Sequence, residues 1–455
     1  VLAFRTVTYC TENEETPKRP HGAPRMMSTS SPGLRGMRGP ASHPRDAMTT
    51  LHSHTAHGAN TPAALQALDQ QLQADPGATR LLFTFYGCDH DDTQIHRYLR
   101  ERFPVAALIG GTSAGGLMSG RGVHGADAIG VLCIEDEAGD YGVAAGSLGE
   151  DPAACAQQLL NEALAQAGTP GELPELVWIY QSPGREEQVL QGLRRVVGDR
   201  CPIIGGSSAD NDVSGQWRQL GPQGPLTDGL VVAVMFPSTP LGFAFQGGYE
   251  PAGPSGIVTG IGMEPAGASG IVTATAGREI LSIDNQPAAQ VYNRWTGGSV
   301  EAQLAGGGNV LAATTMCPLA TDAGRVDGVS HFLLVHPEAV TPQGALRTFC
   351  DLQVGDRVYA MRGNHRQLVE RAGRVVDQAR QTLPEPAAPL AGVLMVYCGG
   401  CKLAVGDQIH QVAIAVSTSV GTAPWIGCFT YGEQGRVIES NVHGNLMISA
   451  VVFAR

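Results

Sequence analysis

The sequence predicts an α/β protein whose mixed sheets are built from a repeated strand–helix–strand–loop–strand unit and divided between two domains. A chain of 455 residues exceeds one ordinary core and typically forms two or three domains of ~100–200 residues. Short apolar segments of strand type alternate with amphipathic segments of helix type, which is the order typical of α/β proteins. The same unit also recurs at a constant separation, and this internal repeat is the strongest of the three observations.

The charge composition excludes several kinds of partner and site. Asp and Glu outnumber Lys and Arg by 42 to 30, which gives a formal net charge of −12 at pH 7. An acidic chain of this kind lacks the basic surface that binds nucleic acid or an anionic membrane, so we expect neither partner. Lys18 and Lys402 are the only lysines. A phosphate-binding loop ending in Gly-Lys-Ser/Thr is therefore excluded, and an enzyme that uses a Schiff base would depend on Lys402.

The cysteine content and the apolar segments indicate a reduced, cytoplasmic protein. Ten cysteines in a chain of this length are too few for a disulfide scaffold. No charged segment followed by an apolar one opens the chain in the manner of a secretion signal. The longest stretch without charged residues, 408–432, contains His410, Pro424 and several Ser and Thr. This composition favours core elements over a membrane span.

Residues 1–47 differ from the remainder of the chain. They contain seven Lys or Arg, four Asp or Glu and six Pro, without sustained hydrophobic periodicity. Val1 is an unusual first residue, and Met48 is the last of four methionines that could start translation. We interpret this segment as a disordered tail or a mis-called start, and the sequence leaves both alternatives open.

Two copies of the repeated unit lie in the first half of the chain. Gly110-Gly111 recurs as Gly205-Gly206, 95 residues later, and Leu81 recurs as Leu176 at the same separation. A polar turn follows the first strand in both copies, and a Gly-Gly loop rich in hydroxyl groups follows the second. The predicted first strand, helix, second strand with loop, and last strand are 81–86, 93–102, 105–115 and 128–134 in one copy and 176–180, 185–197, 203–211 and 229–236 in the other.

A weaker third copy spans residues 393–453. It has a strand at 393–397, a helix at 407–420, a strand and loop at 424–433 and a last strand at 446–453. A strand–helix–strand crossover is usually parallel and right-handed. Each copy is therefore expected to contribute one parallel strand pair.

A short duplication marks a predicted domain boundary. Residues 250–259 recur as residues 264–273 with nine of ten positions identical. One copy is expected to keep its structural place while the other forms a loop. We therefore predict a first domain at 48–250 that holds two repeats, and a second at 251–455 that holds the third.

Several motifs resemble those of the FIST family of sensory domains. Residues 109–116 and 202–210 resemble its N-terminal domain. Residues 277–288, 427–433 and 441–446 resemble its C-terminal domain. The resemblance extends over about residues 80–455 and assigns a FIST N-like domain to the first predicted domain and a FIST C-like domain to the second.

The resemblance implies a function as well as a fold. FIST domains are proposed to bind small ligands such as amino acids, and they often accompany signalling domains. The resemblance therefore implies a non-enzymatic, ligand-binding sensory protein that takes part in signal transduction. No segment of this chain resembles a kinase, cyclase or F-box domain, which favours a binding role over a signalling role. A signalling output would need a protein partner in trans.

The loops at the strand ends are the predicted ligand site. Ligands of open α/β sheets bind beyond the carboxyl ends of the strands. Glycines let the backbone approach a small molecule, and adjacent hydroxyl and amide groups supply hydrogen bonds. An arginine at another strand end offers a planar fork for a carboxylate. The residues expected to bind the ligand are Thr112, Ser113, Ser207, Ser208, Asp210, Asn211, Arg362 and Glu433.

A serine hydrolase is the enzymatic alternative. Gly111-Thr-Ser113-Ala-Gly115 matches the G-x-S-x-G pattern, in which a strand precedes the serine and a helix follows directly. Three glycines within 117–125 argue against that helix, and the second copy reads Gly-Ser-Ser-Ala-Asp instead. A repeated structural turn is the preferred interpretation, so we expect no catalytic residue. A pure interaction scaffold is the third alternative.

Two sequence features could in principle bind a metal or carry redox chemistry. His52, His54 and His57 have ligand-like spacing but no neighbouring carboxylate or Cys. Cys398-Gly-Gly-Cys401 could form a redox pair, which would need a helix starting at its first Cys. The next predicted helix starts near Asp407. Cys428 and His443 could complete four zinc ligands, at a spacing that matches no known pattern. We expect no metal and no cofactor.

Overall fold

The described part of the chain is a mixed α/β structure, which confirms the predicted fold class. The computed structural model describes residues 48–252 and 268–455. The predicted tail 1–47 and most of the predicted duplication lie outside the described residues.

The elements of the described ranges are numbered in chain order. The strands are β1 (Thr50–His57), β2 (Thr79–Tyr86), β3 (Ala107–Thr112), β4 (Leu117–Ser119), β5 (Gly122–His124), β6 (Ala128–Glu135), β7 (Asp140–Ser147), β8 (Leu176–Gln181), β9 (Ile203–Ser207), β10 (Gln219–Gly221), β11 (Gly224–Leu226), β12 (Gly229–Phe236), β13 (Leu241–Gly247), β14 (Tyr249–Pro251), β15 (Ser269–Ala276), β16 (Glu279–Ile283), β17 (Gln286–Pro287), β18 (Gly308–Asn309), β19 (Leu319–Val326), β20 (Val329–Val335), β21 (Pro337–Val340), β22 (Leu346–Thr348), β23 (Arg357–Gly363), β24 (Leu390–Cys398), β25 (Trp425–Thr430), β26 (Glu433–Val437), β27 (Ser440–Gly444) and β28 (Met447–Ala454). The helices are α1 (Thr61–Asp69), α2 (Asp92–Arg102), α3 (Pro152–Ala167), α4 (Glu186–Val197), α5 (Ala288–Trp295), α6 (Leu311–Thr314), α7 (His365–Gln381), α8 (Gly399–Val405) and α9 (Ile409–Val420).

The predicted repeat is present three times. In each copy a strand runs parallel to the strand that follows its helix and antiparallel to the last strand, as β2 does with β3 and β6. The strand β8 has the same relation to β9 and β12, and β24 has it to β25 and β28. An outer strand, β1, β7 or β13, completes each copy by pairing with its last strand. We call these copies repeats 1, 2 and 3.

Each of the three sheets is completed by a hairpin from another repeat. The hairpin β10–β11 of repeat 2 pairs with β3 of repeat 1, and β26–β27 of repeat 3 pairs with β9 of repeat 2. The hairpin β4–β5 of repeat 1 pairs with β25 of repeat 3, which closes the cycle. The resulting six-stranded orders are β1-β6-β2-β3-β10-β11, β27-β26-β9-β8-β12-β7 and β13-β28-β24-β25-β4-β5.

Alternate side chains of the strands face a core that lies between the three sheets. Phe83 of β2, Trp178 of β8 and Leu394 of β24 belong to one buried cluster shared by all three repeats. Their sequence neighbours point to the opposite face, where Leu82 packs with α1 and α2, and Val177 packs with α3 and α4. This pattern is expected when successive strand residues face opposite sides of a sheet that is covered on both faces.

A fourth sheet is inserted within repeat 3. Strands β14–β23 lie between the outer strand β13 and the helix α7, and they form an antiparallel sheet. This insertion has its own buried cluster around Tyr292, Leu319 and Leu346. Repeat 3 therefore begins at Leu241, before the duplication, and resumes at α7 after the insertion.

Gly110 supplies a test of the strand pairing in repeat 1. A Cβ at Gly110 would overlap the carbonyl oxygen of Thr84 on the paired strand, whereas nothing lies within 4 Å of a Cβ at Gly306. We expect Gly110→Ala to lower the free energy of unfolding by about 3 kcal/mol, because the strands must separate to admit the methyl group. Gly306→Ala, the matched control, should change it by less than ~1 kcal/mol. Urea unfolding measures both, and equal effects would contradict the assigned pairing.

Candidate functional site

Three loops, one from each repeat, meet where the three sheets exchange their hairpins. They follow β3, β9 and β25, and we call them the junction loops (112–116, 207–211 and 429–433). The N–H of Ala114 donates to the carbonyl oxygen of Phe429, that of Ala209 to Thr112, and that of Tyr431 to Ser207, each at 3.1 Å. These hydrogen bonds form a closed cycle in which every junction loop donates to one neighbour and accepts from the other.

The hydroxyl groups that were predicted to bind the ligand form hydrogen bonds within the protein. Ser113 Oγ donates to the Gly116 carbonyl oxygen at 2.5 Å and accepts from the N–H of Phe429 at 2.8 Å. Ser208 Oγ donates to the Gln181 carbonyl oxygen at 3.2 Å. Thr112 Oγ1 accepts from the Arg218 N–H at 2.9 Å, and Ser207 Oγ donates to Glu186 Oε1 at 2.8 Å. All four side chains are buried.

Ser113 lacks the setting of a hydrolase nucleophile. The strand β4 begins at Leu117, so no helix follows the serine, as the sequence predicts. The Ser113 hydroxyl is fully buried and has a donor and an acceptor partner in the backbone. A nucleophile elbow instead exposes the hydroxyl and places it beside a general base.

The carboxylate of Asp210 organises the segment that follows it. It accepts hydrogen bonds from the N–H groups of Val213, Gly215 and Gln216 at 2.7–2.8 Å, and from the Tyr431 hydroxyl at 2.9 Å. Burial raises the pKa of Asp210, but these hydrogen bonds outweigh it and hold the pKa below its usual value. The group is therefore an anion whose acceptors are occupied by the segment that follows it and by Tyr431 of another junction loop.

Glu433 is a buried carboxyl group at the end of the third junction loop. Its oxygens accept from the Thr430 hydroxyl at 2.7 Å and from the N–H of Met447 at 3.2 Å. Burial raises the pKa of Glu433 well above its usual range, with a further contribution from Cys398. Arg362 lies apart on β23, exposed and paired in register with Glu250 of β14.

A cavity of about 420 Å³ opens beside the junction loops. Its polar groups include the side chains of Asn211, Asp212, His336, Lys402 and Tyr431, and apolar groups make up most of its wall. Of the eight predicted ligand residues, Asn211 is the one that lines it. We call this cavity the junction pocket; it is lined by Ala114, Gly115, Asn211, Asp212, Val213, Leu311, His336, Phe349, Cys398, Gly399, Gly400, Lys402, Leu403, Gly406, Ile409, Tyr431 and Asn445.

Lys402 is the one lysine of the described residues, and it lies in the junction pocket. Its Nζ donates to the carbonyl oxygens of Ala114 at 2.7 Å and Gly115 at 2.9 Å. The same atom lies 4.1 Å from the centroid of the Phe429 ring, within the range of a cation–π contact. Burial lowers the pKa of Lys402 to about 8. The side chain is therefore mainly an ammonium at pH 7, and it loses its charge at mildly alkaline pH.

Lys402 was not among the predicted site residues, although two sequence signals point to it. It is the single lysine beyond residue 18, and it lies four residues after Cys398, at the end of an apolar segment typical of a strand. The helix α8 begins at Gly399, so the expectation that the next helix starts near Asp407 was wrong. The reason is local, because Cys398 caps α8 by accepting a hydrogen bond from the N–H of Gly400 at 3.3 Å.

The cysteine pair and the histidine triplet have other roles. Cys398 and Cys401 are free, buried thiols, and burial raises the pKa of Cys398 well above its usual value. This is the opposite of what an activated redox thiol needs. His57 bonds to Asp127 and His124 at the end of β1. Among the described residues, the one cluster of metal-ligating groups is Glu187, Cys350 and His443.

Comparisons with known proteins identify the family. The FIST N domain model matches residues 80–261, and the FIST C domain model matches residues 288–436. The chain belongs to the FIST family. FIST domains are generally sensory domains that bind small ligands.

Other comparisons give low similarity. No curated protein matches the FIST chain in sequence. Among solved structures, the chain is similar to a cyanuric acid hydrolase from A. caulinodans, at 12% identity and a TM-score of 0.31, over 90% of this chain and 99% of that one. It is also similar to a chorismatase, at 11% identity and a TM-score of 0.34, over 89% and 99%. Likenesses at this level do not indicate a shared reaction.

Among the residues that the structure describes, no helix is both long enough and apolar enough to cross a bilayer.

The protonation of Glu433 supplies a test of the junction. A carboxyl group whose pKa is raised on folding stabilises the fold least at high pH, because the unfolded chain ionises first. We therefore expect the melting temperature of Glu433→Gln, relative to wild type, to rise as the pH increases above about 5. The amide keeps one acceptor for Met447 and can donate to Thr430.

Glu433→Ala is the matched control for this test. It leaves the N–H of Met447 without a partner and should lose about 1–3 kcal/mol of unfolding free energy. Thermal unfolding over the pH range measures both variants. A Gln variant whose difference from wild type does not change with pH would show that Glu433 is ionised in the folded state.

Proposed function

We propose that this FIST protein is a non-enzymatic sensory protein that binds a small anionic molecule in the junction pocket. The observation that carries the proposal is the position of Lys402. A single, partly desolvated ammonium lies in an otherwise mainly apolar cavity at the meeting point of three repeats. Cavities of ~300–1,000 Å³ with a few convergent polar groups are the usual sites for small ligands.

The walls of the junction pocket favour a carboxylate with a compact apolar body. Lys402 provides the cation for the carboxylate, and apolar groups from Leu311, Phe349 and Ile409 provide the surface for the body. Asp212 and Asn211 also line the pocket and offer acceptors for an ammonium group. An amino acid or a related small carboxylate therefore fits the chemistry of the site.

The surrounding junction supports a sensory role. The pocket walls come from all three junction loops, from α8 and from the insertion, so a ligand would contact separate parts of the chain at once. A ligand that binds one arrangement of these parts more tightly shifts the population toward it. The predicted hydroxyl groups and Asp210 would then act as the frame that positions the pocket. A signalling partner in trans and a cytoplasmic location belong to this proposal.

A thermal-shift screen of amino acids and small carboxylates tests the proposed function. A ligand present at a hundred times its Kd stabilises the fold by ~2.7 kcal/mol, which raises the melting temperature measurably. We expect at least one compound of the panel to stabilise the wild-type chain. We also expect its affinity to fall as the pH rises through about 8, because Lys402 then loses its proton.

Two charge-matched variants locate the site. Lys402→Met keeps the apolar stem and removes the cation, so it should abolish the shift. Arg362→Met removes a cation from the exposed position on β23 and should keep the shift. A screen without any stabilising compound would contradict the proposed function and favour an interaction scaffold. Loss of the shift in Arg362→Met, with Lys402→Met unaffected, would move the site to β23.

A further inference from the structure

We propose that Glu187, Cys350 and His443 form a metal site for Zn²⁺ or a similar divalent transition-metal ion. The three residues come from separate parts of the chain: α4 of repeat 2, the segment after β22 in the insertion, and β27 of repeat 3. Their ligand atoms all lie within 4.8 Å of one another. A carboxylate, a thiolate and an imidazole are ligands that zinc accepts together.

Small shifts of the ligand atoms would reach a metal geometry. Glu187 Oε1 and His443 Nδ1 are 2.8 Å apart in a hydrogen bond, and an ion bound by both would replace that bond and separate the two atoms slightly. With metal–ligand bonds of ~2.0–2.3 Å, ligand atoms of a tetrahedral site lie roughly 3–4 Å apart. The cluster would therefore need movements of about 1 Å, which side-chain rotation supplies. Three protein ligands leave a fourth position open.

The contacts of the cluster hold its ligand groups close together. The side chain of His443 is 1% exposed, and its Nδ1 atom faces Glu187 Oε1. Asn445 Oδ1 accepts from the Cys350 thiol at 2.9 Å. The imidazole, the carboxylate and the thiol are therefore positioned together before an ion binds.

The charged groups beside the cluster carry more negative than positive charge. Arg278 contacts Glu186 at 2.8 Å, Glu187 at 2.6 Å and Asp351 at 2.9 Å, so one cation faces three carboxylates. This excess of negative charge beside the cluster favours a divalent cation.

A divalent ion would offset the negative charge that three carboxylates leave around the single Arg278, in a region where an uncompensated charge is costly. Coordination would also tie the insertion to repeats 2 and 3 at a point outside the junction pocket.

Cobalt titration of the full chain after treatment with a chelator tests the site. Co²⁺ replaces Zn²⁺ in such sites, and a thiolate ligand gives a charge-transfer band in the near ultraviolet. We expect a band with the wild type that saturates at one Co²⁺ per chain. Cys350→Ser should lose the band and bind Co²⁺ at least ~100-fold more weakly, since even outer-shell losses cost 10–100-fold.

The matched control is Cys201→Ser, which removes another buried thiol that lies outside the cluster. It should keep both the band and the affinity. Absence of a stoichiometric band in the wild-type chain overturns the proposal, whether or not any variant folds. A band that persists in Cys350→Ser overturns it as well, because the thiolate would then come from elsewhere. Neither outcome depends on the junction pocket or on its ligand.

Discussion

The cycle of three hydrogen bonds between the junction loops is the constraint on which the rest of this structure depends. Each loop ends a parallel strand of one sheet and continues into a hairpin that completes another sheet. The N–H groups of Ala114, Ala209 and Tyr431 therefore meet carbonyl groups of a different repeat. No repeat can form its sheet alone, because each one lacks the edge hairpin that another supplies. This dependence explains how three copies of one unit share a single buried cluster.

The position of the candidate site follows from the same constraint. Tight contacts among the loops require glycines and small residues, and they leave few groups free at the centre. Serine hydroxyls and the Asp210 carboxylate are used up in holding the loops. What remains beside them is a cavity with one cation, Lys402, whose burial places its pKa near 8. An ammonium in this setting responds strongly to a neighbouring anion, because the surrounding dielectric is low.

The sequence predicts the local elements of the fold, but it does not predict the long-range contacts between the repeats. The parallel strand pair and the last strand of each repeat were predictable, as was a helix between the paired strands, because apolar segments and the Gly110 and Gly205 pairs are local signals. The exchange of hairpins was not, since three-residue strands such as β4 take their partners from tertiary contacts. Asp210 resembles a ligand acceptor in sequence, and only the folded chain gives its oxygens their partners. The outer strand β13 was likewise hidden by the insertion that separates it from α7.

Native mass spectrometry of the freshly purified protein tests the central claim most directly. The claim is that the junction loops build a pocket in which Lys402 holds a small anion. We expect a fraction of the wild-type chain to carry a bound small molecule that is released by mild activation and is missing from Lys402→Met. A Lys402→Met chain that carries the same small molecule would contradict the claim, because the ligand would then be held without the lysine.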